Sequence, residues 1–201
     1  PTNINEKTNV RQHNKCGIDI GVRTFLTTYS KSASYEIGTN TYKIIDNINK
    51  RLDKIRENKD SKILSDKKYS YIYEKYSSKL KDKINDMHCK TANFLLSKYR
   101  KIIIGKVSTK KMISNLEGNL QKITKRRLIA LSHYKFRMKL KMMAIKYGTE
   151  IIETDEYLTS KTCSNCKKIN DNLKGNKVFS CQNCELVIDR DINASINIYK
   201  N

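Results

Sequence analysis

Residues 163–195 read CSNCKKINDNLKGNKVFSCQNCELVIDRDINAS, and the rest of the chain is interpreted outward from this stretch. Two Cys-x-x-Cys pairs, Cys163/Cys166 and Cys181/Cys184, are followed at once by Asp189-Arg190-Asp191. Each Cys-x-x-Cys turn aims two sulfurs at one point. Two such turns at this separation suit the tetrahedral four-thiolate site of a zinc ribbon. Val178 and Phe179 supply a short strand before the second turn. Four protein ligands leave no open position, which predicts a structural rather than a catalytic zinc. Lys161, Lys167, Lys168, Lys174 and Lys177 surround the cysteines, as on a surface that faces nucleic acid.

The residues after the second knuckle read as a helix, 187–201. Ile188, Ile192, Ile196 and Tyr199 form its expected buried stripe. Asp191, Ala194 and Ser195 share another face, where small residues permit close approach to a sheet. Asp191 then sits near the helix start, where negative charge is favoured. At the other end of the chain, residues 15–30 read KCGIDIGVRTFLTTYS, with Ile18, Ile20 and Val22 alternating with Asp19 and Gly21. This predicts a hairpin with glycines at the bend. A carboxylate inside such a strand is costly unless it is paired or hydrogen-bonded. Taken alone, Asp19 reads as an acid satisfied by backbone amides near the bend. Taken with Asp191, it reads as half of a pair. Two carboxylates brought together repel unless a divalent cation holds both. Two Mg²⁺ ions bridged by carboxylates are a standard device for phosphodiester hydrolysis.

The intervening pattern is SYEIG as a third strand, then helical periodicity from Tyr42. Ile45, Ile48, Leu52 and Ile55 make one stripe. Tyr69, Tyr73, Tyr76, Leu80, Ile84, Met87 and Phe94 make another after a polar break near 58–66. Together they predict a long antiparallel helical hairpin over about residues 43–99. Lysines crowd its other faces, and two readings stay open for them: a solvated surface or a track for phosphates. KIIIGKVS is a short buried-type strand, 120–146 a basic amphipathic helix ended by Gly148, and TEIIETD a further strand. A mixed α/β fold, with one mixed sheet flanked by helices, is the simplest packing of this order.

Composition bounds the partners. The chain has 201 residues, with 41 Lys and Arg against 20 Asp and Glu, a formal charge of +21. That excess calls for a polyanion, and nucleic acid leads. An anionic membrane surface competes less well, since no apolar run approaches the roughly 20 residues of a membrane span. No signal-peptide pattern opens the chain, so an intracellular, reducing setting is expected: the cytoplasm, or the nucleus of a eukaryotic host. Cys16 and Cys89 read as small buried hydrophobes.

GIDIGV, TSKTCSNC, FSCQNC and DRDINAS, in this order, resemble the TnpB family of transposon-encoded RNA-guided nucleases and its Fanzor relatives. HCKTANFLLSKYRKIIIG and TKRRLIALSHYKFRMKLKMMAIKYG are similar to the family's connecting segments, so the resemblance runs from about Cys16 onward. It implies a RuvC-like, RNase H-type nuclease domain over 15–160, a zinc ribbon over 161–186 and a final RuvC helix over 187–201, after a linker over 1–14. It implies Asp19 and Asp191 as catalytic acids holding two Mg²⁺, with Asp189 in support. DNA is the implied partner, and guide RNA that of the full-length protein, with Arg126 and Arg127 joining Lys161, Lys167 and Lys168 as nucleic-acid contacts. The family's usual second acid, a Glu, falls at Gly105. Some relatives carry it just before TSKTC, where this chain has Glu156; Glu153 and Asp155 are neighbouring substitutes. The resemblance takes in only the family's C-terminal half, so its N-terminal half is expected to be missing. A nuclease module and a nuclease-dead binding remnant are therefore both consistent with the sequence.

Overall fold

A computed structural model describes residues 13–106, 113, 120–155, 158–173 and 176–201. Five strands form the main sheet: β1 His13–Ile20, β2 Leu26–Tyr29, β3 Ser34–Ile37, β4 Tyr99–Gly105 and β5 Glu150–Thr154. Their order is β3-β2-β1-β4-β5. β1, β2 and β3 form an antiparallel meander, and β4 and β5 run parallel to β1. The mixed α/β sheet expected from the sequence is present.

Between β3 and β4 stands the helical hairpin, α1 Thr41–Asp60 and α2 Asp66–Lys98. Between β4 and β5 lie α3 Lys122–Leu131 and α4 His133–Tyr147. The single helix expected over 120–146 is thus two. Ser132 adopts a left-handed conformation, φ 47°, and its hydroxyl donates to the Ile129 carbonyl (2.9 Å). This local bond competes with helix propagation. Gly148, at φ 56°, ends α4 as a left-handed cap, as predicted.

Strand alternation sorts side chains onto two faces. Cys16, Ile18, Leu26, Ile102 and Ile104 join one core with Leu95 and Leu96 of α2 and Phe136 and Leu140 of α4. Burial pushes the Cys16 thiol up to about 12, so it behaves as a small apolar residue. Cys89 is only half-buried and accepts from the Lys139 ammonium (3.1 Å). The tyrosine stripe of α2 is likewise only half-buried. Tyr76 accepts from Arg51 of α1 (3.2 Å), and Tyr73 is bonded to Arg56. The fully packed α2 positions lie further along, at Ile84, His88, Thr91, Ala92, Leu95 and Leu96.

The last helix, α5 Arg190–Lys200, covers the opposite face of the sheet. A Cβ on Gly17 would lie 2.5 Å from the Ser195 carbonyl oxygen and 2.5 Å from the Tyr199 amide nitrogen. Gly17 therefore serves close helix–strand approach rather than the bend, while Gly21 occupies the turn and donates to the Phe25 carbonyl (3.2 Å). The buried face of α5 is Asn193, Ala194, Ser195, Asn197 and Ile198. Ile192 and Ile196 are only half-buried, which corrects the expected isoleucine stripe. The cause is that α5 has two partners, the sheet along its small residues and the cysteine module along its asparagines. No described helix is long and apolar enough to cross a membrane.

Candidate metal centres and active-site cleft

The cysteine module is built from two near-identical knuckles. Cys163 donates its amide to the Lys168 carbonyl (2.8 Å), and Lys167 donates to the Cys163 carbonyl (3.0 Å). Cys181 repeats this with Leu186 (2.9 Å) and Glu185 (3.0 Å). The fifth residue of each knuckle, Lys167 and Glu185, has positive φ, 66° and 57°. A two-stranded sheet, β6 Val178–Ser180 and β7 Val187–Asp189, braces the second knuckle. Its strand β7 takes in residues expected to be helical, so α5 starts at Arg190.

All four sulfurs lie within 4.8 Å of one another. Cys163–Cys184 and Cys166–Cys181 are 3.6 and 3.5 Å apart. A tetrahedron with metal–sulfur bonds of about 2.3 Å has edges of about 3.8 Å. The set is too open for a disulfide and sized for one soft divalent ion. The amide of Lys168 draws the Cys166 thiol down to about 6, and the Leu186 amide lowers Cys184. Both favour thiolate, the ligand form. A small core of Leu173 and Phe179 backs the site.

Two buried asparagines of α5 hold this module in place. Asn193 accepts from the Ser164 amide (2.9 Å) and donates to the Thr162 carbonyl (2.8 Å). Asn197, one turn on, donates to the Thr159 (2.9 Å) and Thr162 (2.7 Å) carbonyls. Lys200 donates to the Ser164 carbonyl (2.5 Å), and Lys167 to Asn197 (3.3 Å). Sequence reasoning missed both asparagines. Their spacing of four, interleaved with the isoleucines of the helix, was the available signal.

A cleft of about 860 Å³ opens where β1 ends and α5 begins. Its walls include Asp19, Glu36, Asp191, Arg127, Lys177 and Arg190. The first and last acids, 172 residues apart in the numbering, are brought to one cavity. Asp189, expected in support of these acids, also caps α5. Its carboxylate accepts from the amides of Asp191 (2.9 Å) and Ile192 (3.2 Å), capping α5. Asp191 is raised above the ordinary Asp range, first by burial and then by the charges of Asp189 and Glu36. Arg190 and Lys177 oppose the shift.

Glu36 was not singled out from the sequence. The register Asp19–Thr27–Glu36 across β1, β2 and β3 puts it on the same face as Asp19. The alternation in SYEIG could have flagged it, since Tyr35 and Ile37 are the more buried positions. Gly105 ends β4 one residue beyond the Ile18–Ile104 pair, beside Asp19. Glu153 points elsewhere. It sits on the core face in register with Ile104 and pairs with Arg137 (3.2 Å) and Lys141 (3.1 Å). Asp155 is exposed just past β5. Glu156 and Lys174 lie outside the described residues. Thr159 and Ser160, just downstream of Glu156, line the cleft.

Arg126 is committed to Asp53 through two nitrogens (2.6 and 3.0 Å). Arg127 is clamped by Asp46 and stacks on Tyr42, 4.9 Å from the ring centroid, while lining the cleft. Lys167 and Lys168 are exposed and Lys161 half-buried.

The chain is similar to known proteins in sequence and fold. The model of a probable transposase family matches residues 1–116, and that of a Cas12f1-like TNB domain matches 133–198. A TnpB-like protein of Acanthamoeba polyphaga mimivirus is 42% identical over 199 residues, which is 94% of this chain and 38% of the relative. A TnpB-like protein of Methanocaldococcus jannaschii is 30% identical over 162 residues, 79% of this chain and 56% of the relative. The chain thus spans about two fifths of the viral relatives it matches. Among solved structures, a Cas12f1–sgRNA–target DNA complex superposes with a TM-score of 0.65 at 26% identity, over 92% of this chain and 49% of that one. The sheet, its flanking helices and the cleft acids accordingly form a RuvC-like fold, and the chain belongs to the TnpB-like transposase family.

Proposed function

We propose that this chain is the nuclease module of an RNA-guided DNA endonuclease of the TnpB type. The convergence of Asp19 and Asp191 in one cleft carries the reading. Carboxylate oxygens suit a hard divalent cation such as Mg²⁺. Two such ions, when bound, activate a water and stabilise the leaving oxygen of a phosphodiester. Asp19 is delivered by the rigid centre of the sheet. Asp191 is delivered by a helix whose start is fixed by the Asp189 cap. Glu156 is the proposed third acid, since the chain enters the cleft wall at Thr159, three residues on. Lys177 and Arg190 set positive charge at the rim, where a phosphate backbone has to enter. Arg127, held by Asp46, presents a fixed guanidinium to the same space.

Zinc is the proposed occupant of the four cysteines, with a structural role. The ribbon, tied to α5 by Asn193 and Asn197, carries Lys161, Lys167 and Lys168 beside the cutting site. The Cas12f1 neighbour was solved with sgRNA and target DNA. We extend DNA to this chain as its partner, and guide RNA to the full-length protein.

Gly105, beside Asp19 where the family carries a Glu, favours a second reading, a binding remnant without activity. Cleavage of labelled single-stranded DNA with Mg²⁺ decides between them. The nuclease reading expects cutting by the wild type and a loss of at least about 100-fold in Asp191→Asn and Glu156→Gln. Tight binding with no cutting by the wild type supports the remnant.

A further inference from the structure

The solvent face of α2 carries a straight row of lysines. At 100° per residue, Lys68, Lys75, Lys79, Lys83 and Lys90 fall within a sector of about 80°, over about 33 Å of helix. All five are exposed. They lie opposite the packed side of α2, at Ile84, His88 and Leu95. Lys75, Lys79 and Lys83 are successive i,i+4 neighbours, about 6 Å apart along the axis. Like charges at that spacing destabilise a helix.

Intrachain acids relieve this only at the C-terminal end of the row. Among the described residues, Lys90 pairs with Asp86 (2.7 Å), and Lys68, Lys75, Lys79 and Lys83 form no ion pair. Asp82 flanks the row without pairing to it. The arginines of the neighbouring elements are used differently. Arg51 and Arg56 bond to a tyrosine and an aspartate at the surface, and Arg126 and Arg127 bond to aspartates in part-buried positions. The arginines of these elements are thus engaged by neighbouring side chains, whereas Lys68, Lys75, Lys79 and Lys83 of the row make no ion pair among the described residues.

Resting on the nucleic-acid reading above, we propose that this row is a second contact surface, separate from the cleft, that holds the phosphate backbone of a nucleic-acid duplex along α2. Charge complementarity selects this occupant. The row is linear, rigid and spaced like a run of backbone phosphates, and a single half-buried apolar side chain, Ile72, interrupts it, where an amphipathic helix entering a lipid surface presents a whole apolar face.

The test is binding of a DNA duplex of about 30 base pairs, without added Mg²⁺ so that nothing is cut, across a salt series. The rail variant is Lys75→Gln, Lys79→Gln, Lys83→Gln. The charge-matched control is Lys31→Gln, Lys43→Gln, Lys146→Gln, all exposed and off the row. Each lost phosphate contact lowers the slope of log affinity against log salt by about 0.9, so the rail variant should lose about 2–3 and the control less than 1. Affinity near 0.1 M salt should fall at least about 10-fold more in the rail variant than in the control. Its melting temperature should equal or exceed that of the wild type, since repulsion is relieved without loss of packing. Equal losses in the two triple variants overturn the proposal, as does loss of binding to vesicles rich in phosphatidylserine with duplex binding unchanged. Absent cleavage in the earlier assay leaves this result readable, because it measures binding alone.

Discussion

At the scale of single residues, the cleft depends on one missing side chain as much as on its acids. Gly17 lets α5 lie against β1 so closely that any Cβ meets backbone atoms at 2.5 Å. Backbone cannot swing aside as a flexible side chain can. Gly17→Ala should therefore destabilise by about 1–3 kcal/mol and shift α5, with Asp191 on it. Chemical denaturation with circular dichroism checks the first part, and a divalent-ion titration of the cleft the second. Unchanged values for both would show that α5 moves without cost. Asp19 was legible from sequence because a carboxylate inside an apolar strand demands a reason. The role of Gly17 was not, since it needs the helix 178 residues later to be in place. Glu36 was hidden for the same cause: its face is set by register with two other strands.

Elements were legible where periodicity alone determines them. The strands of the sheet, the helical hairpin and the Gly148 cap follow from alternation, from helical stripes and from one glycine. The break at Ser132 does not, because its neighbours continue the helical pattern on both sides. The α2 tyrosines invited a core reading, yet their hydroxyls need polar partners, so they settle at the seam with Arg51 and Arg56. Below the hairpin, Phe25 is sandwiched between His88 and His133, with ring centroids 5.2 and 5.3 Å away. Burial lowers His88 from 6.5 to about 4, opposed by its bond to the Leu131 carbonyl. Burial and the neighbouring His88 lower His133 to about 3. The unfolded chain takes up these protons near pH 6.5 and the folded chain only near 4 or below. Stability is thus intact above pH 6.5 and falls as pH drops towards 4, by about 1.4 kcal/mol per unit for each histidine. Denaturant melts at pH 7, 6 and 5 should show this slope, and His133→Phe should roughly halve it. An unaltered slope in that variant would place the titration elsewhere.

Across the whole molecule, the stretch Asp189-Arg190-Asp191 joins the cysteine module to the helix packed on the sheet. Asp189 ends the ribbon sheet and caps α5. Asn193 and Asn197 bind the ribbon to that same helix. The last acid is therefore fixed from the sheet side by Gly17 and from the ribbon side by the asparagines. The cysteine module is thereby tied directly to the helix that carries Asp191. The cysteine spacing announced the ribbon, but its docking depended on polar residues that a hydrophobic pattern does not reveal. The excess charge of +21 includes the exposed lysine row on α2. The central claim is that Asp19 and Asp191 together hold a divalent cation in the cleft. The most direct measurement is Mn²⁺ binding to the zinc-loaded protein by electron paramagnetic resonance, comparing the wild type with Asp19→Asn and Asp191→Asn. The account predicts saturable binding in the wild type, weakened at least about 10-fold by either substitution. Equal Mn²⁺ affinity in all three proteins would contradict it.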